Sequence, residues 1–281
     1  MKTAGTMTMT KQRIVGVNNY WSRRNELSAR AERHTAEMQK KYADKIAECV
    51  GRSKIYGGDH HSPKSFRFNG SRTSVTSLCK NTTTEALFLP SLANKNVTLL
   101  NFASYNNPGG AFLDGSSAQE ESLCHTSFLY NVLSRMPEYY YFNNKRKNKA
   151  LYTDRAIFTP DVLFFDPAGQ NDPNARTRTA NVITCAAPNR SVLEKYGSFT
   201  EEMNLNALRQ RVEFIRDICF ENRCEAVILG AWGCGVFRQD ARIVANMFMK
   251  AFENMPITVV YAVPDAPTYQ VFAECLSYYE R

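Results

Sequence analysis

Three apolar runs in the second half of the chain, residues 182–187, 226–229 and 257–263, carry almost no polar side chain. A strand with one wet face alternates apolar and polar residues; a strand without that alternation is covered on both sides. Between these runs lie stretches of helical period. Residues 201–222 place Leu208, Val212, Ile215 and Cys219 on one face, and residues 239–254 do the same with Ala241, Val244, Ala245, Phe248 and Phe252. A last helix is expected over 268–279. Strands and helices in alternation build a sheet with helices on both faces, so the sequence predicts an α/β fold.

The first half is less regular. Residues 86–89 and 97–102 read as further buried strands, and 156–159 with 162–165 as a strand or strand pair broken at Pro160. A helix is expected from the 119–121 stretch to about Met136, followed by a polar, aromatic and basic loop over 139–149 and a hydrophilic loop over 169–178. From Trp21 to about Val50 the chain is highly charged and rich in helix formers, which predicts one long helix, or two in sequence, exposed on one side. Residues 51–80 read as a connection with one short strand. The organisation expected is a loose tail over 1–18, a helical extension and connecting segment over 19–80, and a core over 81–281.

Composition excludes several classes. Apolar residues make up 43% and charged residues 22%, ordinary for a soluble globular protein. No apolar run approaches the roughly 18 residues of a membrane span, and the first residues lack the apolar core of a signal peptide. The eight cysteines form no C-x-x-C pair and read as free thiols of a reducing cytoplasm, neither a disulfide framework nor a zinc site. His60 and His61 beside Asp59 lack partner ligands at a metal-binding spacing, so a surface loop is expected there. The net charge of +8 favours polyanions, but basic and aromatic residues are not interleaved as on a single-strand binding platform. Nucleic acid is expected only as an incidental partner.

Two glycine stretches carry the chemistry. After the apolar run at 97–103 come Asn106, Asn107, Pro108, Gly109, Gly110 and Ala111, then Gln119, Glu120 and Glu121 at a helix start. Alone, Gln-Glu-Glu also fits an ordinary first helical turn, where acids favour the dipole. Together with a glycine turn, whose N–H groups suit an anion, adjacent carboxylates suit acid/base work at a glycosidic carbon. The second stretch, residues 230–237, sets three glycines between a buried strand and a helix, the arrangement of a phosphate-wrapping loop. It has no Lys-Ser/Thr of a P-loop and no dinucleotide fingerprint. Trp232 and Phe237 offer aromatic faces for a base or ribose.

These loops resemble those of macrodomains. More closely, Asn107-Pro108-Gly109-Gly110-Ala111 with Gln119-Glu120-Glu121 is similar to the signature of the microbial poly(ADP-ribose) glycohydrolases, and residues 229–237 resemble that family's second phosphate loop. Ala186-Ala187-Pro188-Asn189 is also similar. The resemblance implies a three-layer α/β/α macrodomain-like fold with a mixed sheet and an N-terminal helical extension. It implies a glycosidase that cleaves the ribose bond of ADP-ribose polymers or conjugates, or else a module that reads ADP-ribose without cleaving it. Glu121 matches the catalytic glutamate and Glu120 the neighbour that holds the ribose hydroxyls. Gly109 and Gly110 match the turn next to the diphosphate and the scissile ribose, and Asn107 the asparagine near that ribose; Ala111 and Gln119 are further candidates for substrate binding. Gly233, Cys234, Gly235 and Val236 match the diphosphate loop, and Phe237 the aromatic that stacks on the nucleoside. No metal and no cofactor are implied. The expected partners are ADP-ribose, its polymer or ADP-ribosylated proteins, in the cytoplasm.

The chemistry is coherent on its own terms. Glu121 is expected to donate a proton to the leaving oxygen and then, as carboxylate, to activate water, because its neighbouring carboxylate and a nearby diphosphate both disfavour its charge and raise its pKa toward the working range. The chain departs from the family pattern in three places, at four positions. Ala111 replaces a third glycine, His125 stands where an arginine is common, and Arg238-Gln239 replaces a small residue and an asparagine.

Overall fold

The computed structural model describes residues 5–67, 74–145, 151–169, 175–193 and 199–279, with the backbone alone at 5–20 and 144–145. Seven strands form one sheet: β1 (Lys54–Tyr56), β2 (Val75–Cys79), β3 (Val97–Phe102), β4 (Ala156–Phe165), β5 (Thr177–Cys185), β6 (Ala226–Leu229) and β7 (Thr258–Ala262). Their order is β1-β4-β5-β3-β6-β7-β2. The five from β5 to β2 run parallel, while β1 and β4 are antiparallel to their neighbours, so the sheet is mixed.

Successive side chains of a strand point to opposite faces, and here both faces are apolar. Leu100, Ile183, Val227, Leu229, Val259 and Tyr261 enter one core with α6 (Glu201–Glu221), α7 (Ala241–Phe252) and α8 (Ala266–Tyr279). Their strand neighbours Leu99, Val182, Ile228 and Val260 enter a second core on the opposite face. That face is covered by α1 (Gly5–Arg52), α2 (Thr83–Leu87), α3 (Gln119–His125), α4 (Leu129–Leu133) and α5 (Pro137–Lys145). The unbroken apolar runs thus have their cause in two packed faces, and the layers are α/β/α.

Several local expectations are corrected. Residues 86–89 are not a strand. Thr82 and Glu85 form a reciprocal capping box, with N···O distances of 3.3 and 2.7 Å, and start α2 instead. The helix expected to reach Met136 breaks after His125. The Ser127 hydroxyl donates to Leu123 O at 2.7 Å and accepts from Leu129 N at 3.0 Å, taking over the backbone groups that would continue the helix. Residues 137–145 form α5, with Pro137 at its first position, where a missing N–H costs nothing. Arg146, Lys147 and the rest of the loop expected there lie outside the described residues, as do 170–174 of the second expected loop.

Pro160 does not split its strand. β4 runs through it with a register shift between Thr159 and Val162, and Asp161 at φ 54° takes up the extra residue. α1 begins at Gly5, within the stretch set apart as a tail, and bends at Tyr42 (φ −128°, ψ 27°). Both glycine stretches follow the carboxyl ends of neighbouring parallel strands, β3 and β6, where open α/β sheets bind ligands.

Candidate active site

β3 is longer than its neighbour β6. The two pair only from Val97 to Leu99. Beyond that point β6 offers no partner, and side chains from the start of α3 take its place. Phe102 N–H donates to Gln119 Oε1 at 2.8 Å, and Gln119 Nε2 donates to Leu100 O at 2.9 Å and to Thr83 Oγ1 at 3.0 Å. Two residues further on, Ser104 N–H donates to Glu120 Oε2 at 2.6 Å, and Asn101 Nδ2 to Glu120 Oε1 at 3.1 Å. Gln119 and Glu120 therefore continue the hydrogen bonding that the short strand leaves unmet. The amide of Gln119 is committed to the end of β3.

Glu121 is held from the other side: its Oε1 accepts the Ala111 N–H at 2.9 Å. Its Oε2 is buried and has no partner among the described residues. Both carboxylates are enclosed, Glu120 at 3% and Glu121 at 5% exposure. Gly109 and Gly110 adopt φ of 68° and 64°, and a Cβ on Gly110 would stand 2.5 Å from Glu121 Oε1. Ala111 is not among the positive-φ residues, so its methyl brings no backbone strain to the turn. Asn107 lies exposed at the start of the turn, its carbonyl accepting Gly110 N–H at 3.1 Å.

Burial pushes Glu120 up to about 8. The hydrogen bonds from Ser104 N–H and the Asn101 amide oppose the shift, and the neighbouring Glu121 adds to it. His125, behind α3, packs edge-on against Phe112 at 4.7 Å, and burial pushes it down to about 4. It is a neutral ring there, not a substitute for an arginine's charge.

In the second loop, the N–H groups of Gly233, Gly235, Val236 and Phe237 have no acceptor among the described hydrogen bonds. The Cys234 N–H is used internally, on Ala231 O at 3.1 Å. Burial raises the Cys234 thiol to about 12, so it stays protonated. The start of α7 is not part of the cradle, because the Asp240 carboxylate already accepts from Arg242 N and Ile243 N at 2.8 and 3.1 Å. An anion here would be held by loop amides alone. Trp232 presents no face to a ligand. It is fully buried, donates Nε1 to Cys185 O at 3.0 Å and packs on Phe248.

A cavity of about 620 Å³ opens between Gln119, Phe102, the loop 231–237, the segment 262–265 and the start of α2, a volume suited to a small organic ligand. Gly233, Cys234, Gly235, Val236, Phe237 and Gln119 line it. Asn107, Gly109, Gly110, Ala111, Glu120 and Glu121 do not, although Glu120 and Glu121 directly follow Gln119 in α3. An aromatic run ties the two groups together. Tyr105 stacks on Tyr152 at 3.9 Å, and Tyr152 meets Phe237 edge-on at 5.9 Å.

Two supporting groups were missed in the sequence. Asn101 is buried on the central strand, and a polar side chain inside an apolar run was the available signal. Gln239 donates to Pro188 O at 2.8 Å, exchanges hydrogen bonds with Asn204 and returns its own N–H to Gly233 O, fixing the second loop. No sequence pattern announces a pair 35 residues apart. His60 and His61 are engaged by Glu138 and Glu221 at 2.9 Å, and no group of three metal-ligating side chains occurs among the described residues.

A carboxylate pair at a glycine turn, beside a cavity and a loop with amides free among the described residues, combines acid/base groups with anion donors, as a phosphate-bearing glycoside would require. The family described as "Microbial-type PARG, catalytic domain" matches residues 25–166. The poly(ADP-ribose) glycohydrolase of Thermomonospora curvata superposes with a TM-score of 0.78 at 30% identity, over 90% of this chain and 100% of that one. Its complex with the inhibitor ADP-HPD gives 0.76 at 29%, over 89% and 99%. The Deinococcus radiodurans enzyme in complex with ADP-ribose gives 0.71 at 30%, over 83% and 97%. No curated protein matches the chain. The chain belongs to the microbial-type poly(ADP-ribose) glycohydrolase family, hydrolases of O-glycosidic bonds built on a macrodomain-like fold.

Two outcomes are expected. Replacing Gln119 by Leu removes the partner of Phe102 N–H, so this amide should lose its hydrogen-exchange protection while Leu99 keeps its own; stability should fall by about 1–3 kcal/mol. The raised Glu120 carboxyl stabilises the fold fully below its ordinary value of 4.5, and that contribution is lost as pH rises through 8. Glu120→Gln, neutral throughout, should therefore be less sensitive than wild type to raising the pH from 5 to 8.5 in urea titrations.

Proposed function

We propose that this protein removes ADP-ribose from poly(ADP-ribose), or from a modified side chain, with Glu121 as its acid/base. The observation that carries the assignment is the asymmetry of this carboxyl group. One oxygen is fixed by the Ala111 N–H, and the other is buried and unpartnered beside Glu120. In the reaction, protonated Glu121 donates to the leaving oxygen as the bond to the ribose anomeric carbon breaks. The oxocarbenium-like state that forms is met by water, whose proton returns to the Glu121 carboxylate. Glu120 holds the hydroxyls of the same ribose. The diphosphate rests on the amides of Gly233, Gly235 and Val236, with Phe237 against the nucleoside and the adenosine end in the cavity. Binding this remote part positions the reacting bond.

The reading makes the protein cytoplasmic, acting on ADP-ribose polymers or ADP-ribosylated proteins, with nucleic acid attracted only through its charge. No described helix is long and apolar enough to cross a membrane. The alternative is a reader that binds ADP-ribose without turnover, which a methyl at Ala111 would favour if it crowded the diphosphate or forced a different backbone angle. The ordinary backbone of Ala111, and the use of its N–H to orient Glu121, favour the enzyme.

The test compares wild type with Glu121→Gln for ADP-ribose release from a poly(ADP-ribosyl)ated protein and for ADP-ribose binding by calorimetry. Release should fall by about 10²–10⁴-fold, the usual worth of a general acid/base, with binding little changed. A variant that releases at the wild-type rate removes Glu121 from the mechanism, and a wild type that binds without release makes the protein a reader.

A further inference from the structure

The turn that supplies the Ala111 N–H to Glu121 does not satisfy all its own backbone groups. It closes through Asp114 N–H and Ser116 N–H, both on Ala111 O at 3.1 Å, and through Gly115 N–H on Phe112 O at 3.2 Å. The carbonyls of Leu113 and Asp114 are taken by α1. Ser28 Oγ donates to Leu113 O at 2.6 Å, and Arg24 Nε donates to Asp114 O at 2.7 Å. The contact is close enough to require a glycine. Gly115 has φ 76°, and a Cβ there would stand 2.0 Å from the Arg24 carbonyl oxygen.

The same stretch of α1 continues onto the helices behind the turn. Ala31, with no exposed surface, closes a small apolar cluster with Phe112, Cys124 and Tyr130. Asn131 Nδ2 donates to Thr35 O at 3.0 Å, and the His34 ring bonds Ser127 O at 2.8 Å. Positions 24, 28, 31 and 35 fall at steps of three and four, which is one helical face. None of them lines the cavity.

We infer that this face of α1 is a latch that sets the catalytic turn, with Arg24 and Ser28 as positioning residues for Glu121. The inference rests on the reading of Glu121 as the acid/base. With the latch closed, Ala111 is fixed through its own carbonyl by Asp114 and Ser116, and its N–H fixes the carboxyl. With Leu113 and Asp114 released, the turn keeps its internal hydrogen bonds but loses its anchor. A displacement near 1 Å at a reacting group is worth about 10²-fold in rate. The latch holds the reacting end of the site and leaves the cavity end untouched, so its loss should separate turnover from binding.

The test uses the full chain with Arg24→Ala/Ser28→Ala, Ser28→Thr, and Glu32→Gln on the exposed side of α1 as control. Three quantities are read: kcat for ADP-ribose release at saturating polymer, Kd for ADP-ribose, and amide exchange over residues 111–116. The double variant should lose about tenfold or more in kcat, within the cost of a misplaced group. Its Kd should be unchanged and its exchange over 111–116 faster. Ser28→Thr keeps the hydroxyl and should match wild type, as should the control. Unchanged kcat and exchange in the double variant would overturn the latch. So would a matching loss of ADP-ribose affinity, or a Ser28→Thr variant that loses kcat despite its hydroxyl. If wild type itself releases no ADP-ribose, the glycohydrolase reading falls, and exchange over 111–116 decides the latch alone.

Discussion

The unequal length of two neighbouring strands is the constraint from which the site follows. β6 stops where β3 still has backbone groups to satisfy, and a buried N–H without a partner costs about 1–3 kcal/mol. Gln119 and Glu120 meet that demand, so the start of α3 is tied to the end of β3 by side chains acting as strand partners. Glu121, the next residue, is thereby delivered to the glycine turn. The carboxylate pair is where it is because the sheet leaves hydrogen bonds unmet there.

The rest of the architecture secures the two sides of this junction. On the side of α6 and α7, Gln239 and Asn204 lock the amide-bearing loop. On the other side, α1 reaches across α3 and α4 to the turn, which gives the long helix a part in the site beyond covering a sheet face. The stack of Tyr105 on Tyr152, with Phe237 at its edge, spans the gap between the two loops. Tyr152 holds a φ of 62° there, a conformation that a bulky residue adopts only when its surroundings enforce it.

What the sequence disclosed followed the range of the interactions involved. Buried strands and amphipathic helices of the second half repeat over a few residues, and they were legible. So were both glycine loops and the Gln-Glu-Glu run. The capping box that turns Thr82–Glu85 into a helix start is also local, but an apolar run hid it. α5 lies in a stretch whose polar, aromatic and basic residues predict a loop; burial of Tyr139 and Tyr140 in the second core supports a helix there instead. Trp232 looked like a ligand platform by position, and only the fold shows its indole spent on Cys185. The Gln239–Asn204 pair and the contacts of Arg24 and Ser28, 85 to 90 residues away in the chain, left no trace in any local pattern.

The most direct measurement is an infrared titration of wild type labelled with ¹³C-glutamate, with Glu120→Gln as the difference reference. If the end of β3 holds Glu120 buried beside Glu121, a protonated carboxyl band absent from the variant should persist through neutral pH and titrate near 8. A band that disappears near 4.5, the ordinary glutamate value, would mean that water reaches Glu120 and that the enclosed pair described here does not exist in solution.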